Sequence, residues 1–508
     1  MSTSSRPRAF AGRILAIEFV VGASSLGTEI AAARLLAPYF GDSTLIWANT
    51  IGTVLVALSV GYWIGGRTAD RDPSLRGLCR LVLVGALLLA AVPFVAGPFL
   101  GEAVDALDAV EAGAFIGSLL AVLVLIAVPV FVLGMVSPYA VRLSVAAVEE
   151  AGTITGRLWA VSTLGSLTGT FLSALVLIPF AGTKRTFLVF ALALAVIAMV
   201  GLARRAALAP AALAVLLALP VGTIKAAEPG DRLLDEAETE YGYARVVEKA
   251  DGDRWMELNE GQAIHSLLPA DGSYLTGDYW DEALVLPFAG ASAEPPGRVA
   301  ILGNAGGTIA RAYGHYFPAT RVDAVEIDGE LTEMGRRWFD LRGENLHTHT
   351  GDARPWLRAS DGDFDLIVVD TYRQPYIPFY MTTREFFELA RERLAPGGMV
   401  VINVGHPETS DRLEQVLSAT MGAVFSTVAR DPVQDTNTML VAADGPVSAA
   451  ELLDHVGDLP AELRPVARAT AARLAPPLEG GTVYTDDTAP VEWLVDASIV
   501  KVAADGER

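Results

Sequence analysis

The sequence is poor in cysteine, in charge and in basic residues, and each shortage removes a class of protein. Its single cysteine, Cys79, excludes an intramolecular disulfide framework and any multi-cysteine zinc site. Lys and Arg number 38 against 59 Asp and Glu, a formal net charge of −21. Such a balance argues against binding along a nucleic-acid backbone, which needs clustered cations. Charged residues make up only 19% of the chain, hydrophobic residues 52%, and the mean hydropathy is +0.39. Soluble proteins carry more charge and less apolar mass than this. What the chain has instead is long hydrophobic runs, and at 508 residues it exceeds one ordinary core, so at least two domains are expected.

Apolar runs repeat from about residue 12 to 224, whereas a signal peptide has a single short one. They predict an α-helical transmembrane bundle of about seven helices, at roughly 12–37, 45–66, 78–100, 113–136, 155–181, 186–203 and 207–224. Each is near the ~20 residues a helix needs to cross the hydrocarbon core, the last being the shortest. The implied location is the cell membrane, with multiple passes through the lipid bilayer.

Arg6, Arg8 and Arg13 precede the first run, Arg67, Arg71, Arg76 and Arg80 follow the second, and "GEAVDALDAVEAG" carries no Lys or Arg. This asymmetry places the N-terminus in the cytoplasm. Seven crossings would then put the C-terminal half outside, with Lys184 and Arg185 on the wrong side. Gly61 and Gly65, and Gly165 and Gly169, have the spacing that lets membrane helices approach closely. Glu18, Glu29 and Arg34 in the first run are ionisable groups that usually face a cavity or a partner, although a terminal Arg also snorkels.

Near 225–232, "KAAEPGDR" turns polar and opens a linker. The reading divides the chain into a transmembrane domain over 1–225, a β-hairpin subdomain over 226–290 and a Rossmann-like domain over 291–508. The hairpins follow from "AETEYGYARVVEKADGDRWMELNEGQAIHS", in which polar residues alternate with β-branched and aromatic ones across turn signals. From 298 on, "RVAILG", "RVDAVEI", "FDLIVVD" and "GGMVVINV" alternate with helical stretches, the pattern of a mainly parallel sheet covered by helices.

In such sheets ligands bind beyond the carboxyl ends of the strands. Three motifs fall there. "GNAGG", Gly303 to Gly307, is a glycine turn that opens a helix and includes Asn304 and Gly306. Glu326 ends the next strand, where an acid accepts hydrogen bonds from ribose hydroxyls, and "GDA" offers Asp352 and Ala353 after the strand "LHTHT". Together they point to an adenosine-type ligand. A dinucleotide fits less well, because Ala305 and Thr308 break the G-x-G-x-x-G spacing. Asp370 ends a fourth apolar strand, at the lip of the same crevice, where a carboxylate takes a proton from an attacking amine.

The order of these motifs from about 232 to 500 resembles the spermidine synthase family, the polyamine aminopropyltransferases, and in particular bacterial forms that follow a multi-span membrane domain. "YGYARVVE", "LNEGQ", "YWDEALVLP", the glycine turn, "EID", "GDA", "VVD…TREFF", "PGG" and "TDDTAPVEWL" occur in family order. The resemblance implies a methyltransferase-type α/β fold and transfer of an aminopropyl group from decarboxylated S-adenosylmethionine to an amine, in polyamine biosynthesis. It implies Gly303, Asn304, Gly306, Glu326, Asp352 and Ala353 around the adenosyl donor and Asp370 as general base. It further implies Tyr279, Asp281, Tyr372 and Arg373 around the amine, no metal, and a homodimer.

Two departures bear on the substrate. The family's glycine turn reads Gly-Gly-Gly-Asp-Gly, and its Asp falls on Gly306; the second Asp of its Asp-Ser-Ser-Asp loop falls on Arg373. Both lost carboxylates help hold cationic amines, and a guanidinium suits a carboxylate instead. Ordinary S-adenosylmethionine therefore competes as donor, which leaves a methyltransferase, or a transporter or sensor with a non-catalytic adenosyl-binding domain, as alternatives. Cytoplasmic synthesis of adenosyl donors places the C-terminal domain in the cytoplasm, in conflict with seven crossings from an inside N-terminus.

Overall fold

A computed structural model describes residues 8–40, 44–108, 113–202, 204–219, 223–259, 264–372, 377–406, 408, 410–491 and 494. The chain divides into two compact units, Met1–Lys225 and Ala226–Arg508.

The first unit is helical. Among its described residues, five helical stretches are long and apolar enough to cross a membrane: Phe10–Phe40, Trp47–Arg71, Leu75–Gly101, Gly117–Ser144 and Val148–Ala181. Helices also stand at the sixth and seventh expected positions, but they are shorter than expected, Thr183–Ala198 with 16 residues and Leu208–Ala218 with 11. The last stops at Leu219, which precedes Pro220 and is extended, as the proline ring requires of its neighbour.

Two of the long stretches contain a π-turn, Leu123–Ala127 and Ser173–Leu177, each just before a proline, Pro129 and Pro179. Proline has no N–H and crowds the carbonyl four residues back, and the wider turn relieves that conflict without ending the helix.

The four glycines singled out above pack the unit. A Cβ on Gly61 would strike the Phe131 carbonyl, and one on Gly65 would meet the backbone of Met135. One on Gly165 or Gly169 would strike the carbonyl oxygens of Phe19 and Ala23. Helix backbones in contact at these points gain dispersion that larger side chains would prevent. The outer faces present Leu55, Val56, Trp63, Trp159 and Phe180, an apolar exterior suited to lipid.

The second unit holds two sheets. Strands β1 (Arg232–Glu238), β2 (Tyr243–Glu248), β3 (Arg254–Leu258) and β4 (Ile264–Leu268) form an antiparallel meander in that order. Its inner face buries Ala244, Val246 and Met256 against Leu331, Met334 and Phe339. Part of the "LNEGQ" motif, residues 260–262, lies outside the described residues.

The large sheet comprises β5 (Arg298–Leu302), β6 (Arg321–Glu326), β7 (Leu346–Thr350), β8 (Phe364–Val369), β9 (Leu394–Gly405), β10 (Thr427–Gln434) and β11 (Asn437–Ala443). Their order is β10-β11-β9-β8-β5-β6-β7, with β5 to β9 parallel and the last two antiparallel. Val299 to Leu302, Leu366 to Val369 and Val400 to Ile402 are buried, so these strands read as unbroken apolar runs covered on both faces. The chain runs outward from β5 to β7 and then returns to β8 on the other side of β5. That reversal opens a crevice between the carboxyl ends of β5 and β8.

Candidate active site

The glycine turn after β5 is shaped by protein contacts. Gly303, Ala305 and Gly307 have positive φ (+85°, +44° and +92°). A Cβ on Gly303 would collide with the backbone carbonyl of Asp370, so this glycine is what lets the ends of β5 and β8 close together. The Asp370 N–H donates to the Leu302 carbonyl at 2.8 Å. Gly306 is covered by Met256 and Ser266, and its N–H donates to Ser266 Oγ at 2.8 Å. A side chain at 306 would crowd Met256 and Ser266 at 3.0 Å, and the Gly306 N–H is already occupied. Ala305 tolerates its left-handed backbone because its N–H donates to Glu326 Oε2 at 2.8 Å.

Glu326 ends β6 and is buried. Its other oxygen accepts the Asp328 N–H at 3.0 Å, so the carboxylate joins the glycine turn to the start of the helix Gly329–Trp338. Burial pushes its pKa up to about 6, against the opposing pull of these N–H donors. Asp352 caps the helix Ala353–Ala359, accepting the Arg354 N–H at 3.0 Å, and accepts the Tyr380 hydroxyl at 2.9 Å. Ala353 is the buried first residue of that helix. The Arg354 guanidinium grips both carboxylate oxygens of Asp486 at 2.7 Å, which ties "TDDTAPVEWL" to this corner of the site.

Asp370 follows β8. Its Oδ2 accepts the Tyr279 hydroxyl at 3.1 Å and its Oδ1 accepts Asn403 Nδ2 at 2.9 Å. Burial raises the Asp370 carboxyl above the ordinary aspartate range, and the Asn403 and Tyr279 hydrogen bonds pull it partly back. Burial and the Asp370 charge together hold the Tyr279 phenol well above its usual range, so it remains a donor. Asn403 is itself oriented, its Oδ1 accepting Asn437 Nδ2 at 2.9 Å. The Tyr372 hydroxyl donates to the Asn403 carbonyl at 3.1 Å and accepts the Gly405 N–H at 2.6 Å.

Two spaces flank this row of residues. A cleft of about 300 Å³ is lined by His265, Trp280, Asn304, Ala305, Thr308 and Asp370, among others. A second, of about 430 Å³, is lined by Tyr241, Leu258, Glu326, Ile327, Asp328 and Tyr372, among others. Both amide atoms of Asn304 and the Nε2 of His265 are buried without a hydrogen-bond partner. Burial drives His265 down to about 4, so it is neutral at pH 7.

The structure thus gathers Gly303, Asn304 and Asp370 at one cleft and Glu326 and Tyr372 at the other, with Tyr279 bonded to Asp370. Asp281, expected at the amine, is instead committed to its own loop, accepting the N–H groups of Thr276 and Gly277 at 3.0 and 2.8 Å. Arg373 lies outside the described residues. Asn403 and His265 were missed from sequence. A lone asparagine in the apolar run "MVVINVG" was the available signal for the first; nothing marked the second.

Residues 282–436 match the spermine/spermidine synthase domain model. A probable polyamine aminopropyl transferase of Bifidobacterium longum is 32% identical over 292 residues, 53% of this chain and 64% of that protein. A polyamine aminopropyltransferase of Vibrio vulnificus is 31% identical over 134 residues, 26% of this chain and 44% of that protein. The chain therefore spans less than two thirds of either relative's length. A crystal structure of a probable spermidine synthase from Corynebacterium glutamicum aligns over 49% of this chain and 96% of its own, with 23% identity and a TM-score of 0.38.

Proposed function

We propose that this chain, whose C-terminal unit carries a spermine/spermidine synthase domain, is a membrane-anchored aminopropyltransferase using decarboxylated S-adenosylmethionine and an amine acceptor. The observation that carries this reading is the Asp370 carboxylate, held by Tyr279 and Asn403 at the rim of a polar cleft, with Glu326 two strands away at the end of β6, beyond β5. Glu326 accepts the ribose hydroxyls of the donor, and Asp352 with Ala353 frames its adenine. The amine nitrogen attacks the carbon next to the sulfonium. A C–N bond forms, the C–S bond breaks with its electron pair going to sulfur, methylthioadenosine leaves, and the amine proton passes to Asp370 and then to water. The neutral His265 and Asn304 side chains supply hydrogen bonds to the amine without opposing its charge.

A cytoplasmic C-terminal unit suits this chemistry. An even number of crossings results if the 16-residue helix Thr183–Ala198 crosses and the 11-residue helix Leu208–Ala218 does not. At ~1.5 Å per residue the former is about 24 Å long, enough where the bilayer thins slightly.

The test is incubation of the full chain in detergent with decarboxylated S-adenosylmethionine, putrescine and spermidine, followed by mass analysis. Methylthioadenosine and an aminopropylated amine are expected, with Asp370→Asn slower by about 10²–10⁴-fold while donor binding stays within a few-fold. Unchanged turnover in that variant would refute the role of Asp370. Adenosylhomocysteine formed from S-adenosylmethionine would instead identify methyl transfer.

A further inference from the structure

The helix Arg8–Phe40 carries Glu18, Gly22, Ser25 and Glu29 at helical spacing, which places them along one face. Glu18 is 0% exposed. It lies about 12 Å along the helix from Phe10, where the apolar stretch begins, and so within hydrocarbon depth. Ser137 Oγ donates to its Oε2 at 2.9 Å, while its Oε1, equally buried, has no hydrogen-bond partner. The hydroxyls of Ser24 and Ser25, one to two turns further along, are also buried and unpartnered.

Across the tight glycine seam, Ser166 donates to the Gly22 carbonyl at 3.3 Å and Ser173 to the Gly27 carbonyl at 2.9 Å. An ionised carboxylate buried at this depth would need several donors, and here the neighbouring donors are two hydroxyls, Ser137 and Ser162, with no hydrogen bond made to Oε1. Tyr62, on the helix Thr44–Arg71, is the titratable group in electrostatic contact with Glu18. The helices Val136–Ser144 and Ala151–Leu172 bring hydroxyls to this level, Ser137 and Ser162, with no charged side chain among the described contacts to Glu18.

We propose that Glu18 is a proton-binding site of the helical unit. The proton adds to Oε1, completing a carboxylic acid whose Oε2 keeps the Ser137 hydrogen bond, and returns to water along the hydroxyl stripe through Ser25. Only an O–H bond forms and breaks, and no other reactant is needed. The site is independent of the transferase chemistry, and it gives the helices a role beyond anchoring.

Dicyclohexylcarbodiimide, which adds to protonated carboxyls in apolar surroundings, tests this on the full chain in native membranes. Peptide mass mapping over a range of pH should find the adduct on Glu18. Its yield should fall about tenfold per pH unit above the carboxyl's titration midpoint. Glu18→Gln should lose that adduct while the protein remains monodisperse in detergent. Labelling that does not change with pH would mean a permanently protonated packing group and would overturn the proposal. So would the absence of an adduct at every pH.

Discussion

At the scale of single residues, burial raises the Asp370 carboxyl and the Asn403 hydrogen bond offsets part of that rise. The Asn403 Nδ2 donates to the carboxylate at 2.9 Å, and such a bond to a charged acceptor is worth ~1.5–3 kcal/mol. Asn403→Ala should therefore move the acid limb of the kcat/KM profile up by about one to two pH units. An unmoved limb would make Asn403 merely structural. The sign follows from the base role. If Asp370 is the base we propose, only its ionised form accepts the amine proton, and since burial raises its pKa, activity should fall as pH drops through a point above the ordinary aspartate range. The proposed ribose contact of Glu326 predicts a separate dependence of donor affinity on pH. With a pKa near 6, Glu326 loses its charge below that pH and would accept ribose hydroxyls poorly. Calorimetric titration with the donor should show weaker binding below about pH 6, and Glu326→Gln should remove most of that dependence.

At the scale of elements, the helical unit is organised by where side chains are missing. Gly169 touches the Ala23 carbonyl, whereas nothing lies within 4 Å of a Cβ placed on Gly152, which is on the same helix. Gly169→Ala should destabilise by ~1–3 kcal/mol through overpacking. Gly152→Ala should stabilise by ~0.5–1 kcal/mol through helix propensity alone. Opposite shifts in melting temperature in detergent would verify the contrast, and equal shifts would refute the seam. In the soluble unit, the same residue type does different work. Gly303 admits the backbone of Asp370 and Gly306 admits Ser266, so the "GNAGG" turn serves strand and sheet packing before it serves any ligand.

At the scale of the whole molecule, the chain joins an apolar helical unit to an acidic α/β unit through an exposed segment, Glu228 to Gly230. Gly230 has φ +102° and open space around it, so an inserted protease site after Pro229 disturbs no packing. Cleavage in washed membranes should release residues 230–508 into the supernatant with the ability to form methylthioadenosine. A cut fragment that stays with the membrane would contradict the anchor arrangement.

Periodicity and composition determined the existence of the apolar helices, the seam glycines and the parallel strands, because each depends on local spacing of apolar, small or turn residues. The positions of Glu326 and Asp370 at strand ends were legible for the same reason, since an acid closing an apolar run marks a strand's end, whereas Asp352 was marked by "GDA" after a polar strand. Tertiary structure alone decided which polar groups are spent and which are open. Asp281 is expected at the amine, yet its oxygens accept the Thr276 and Gly277 N–H groups. Asn403, on β9, reaches Asp370 through the order of the large sheet, and His265, on β4, lines the cleft because the small sheet is bonded to the glycine turn, neither being near Asp370 in sequence. Hydrogen-bond partners are chosen by three-dimensional proximity, which a one-dimensional pattern does not encode.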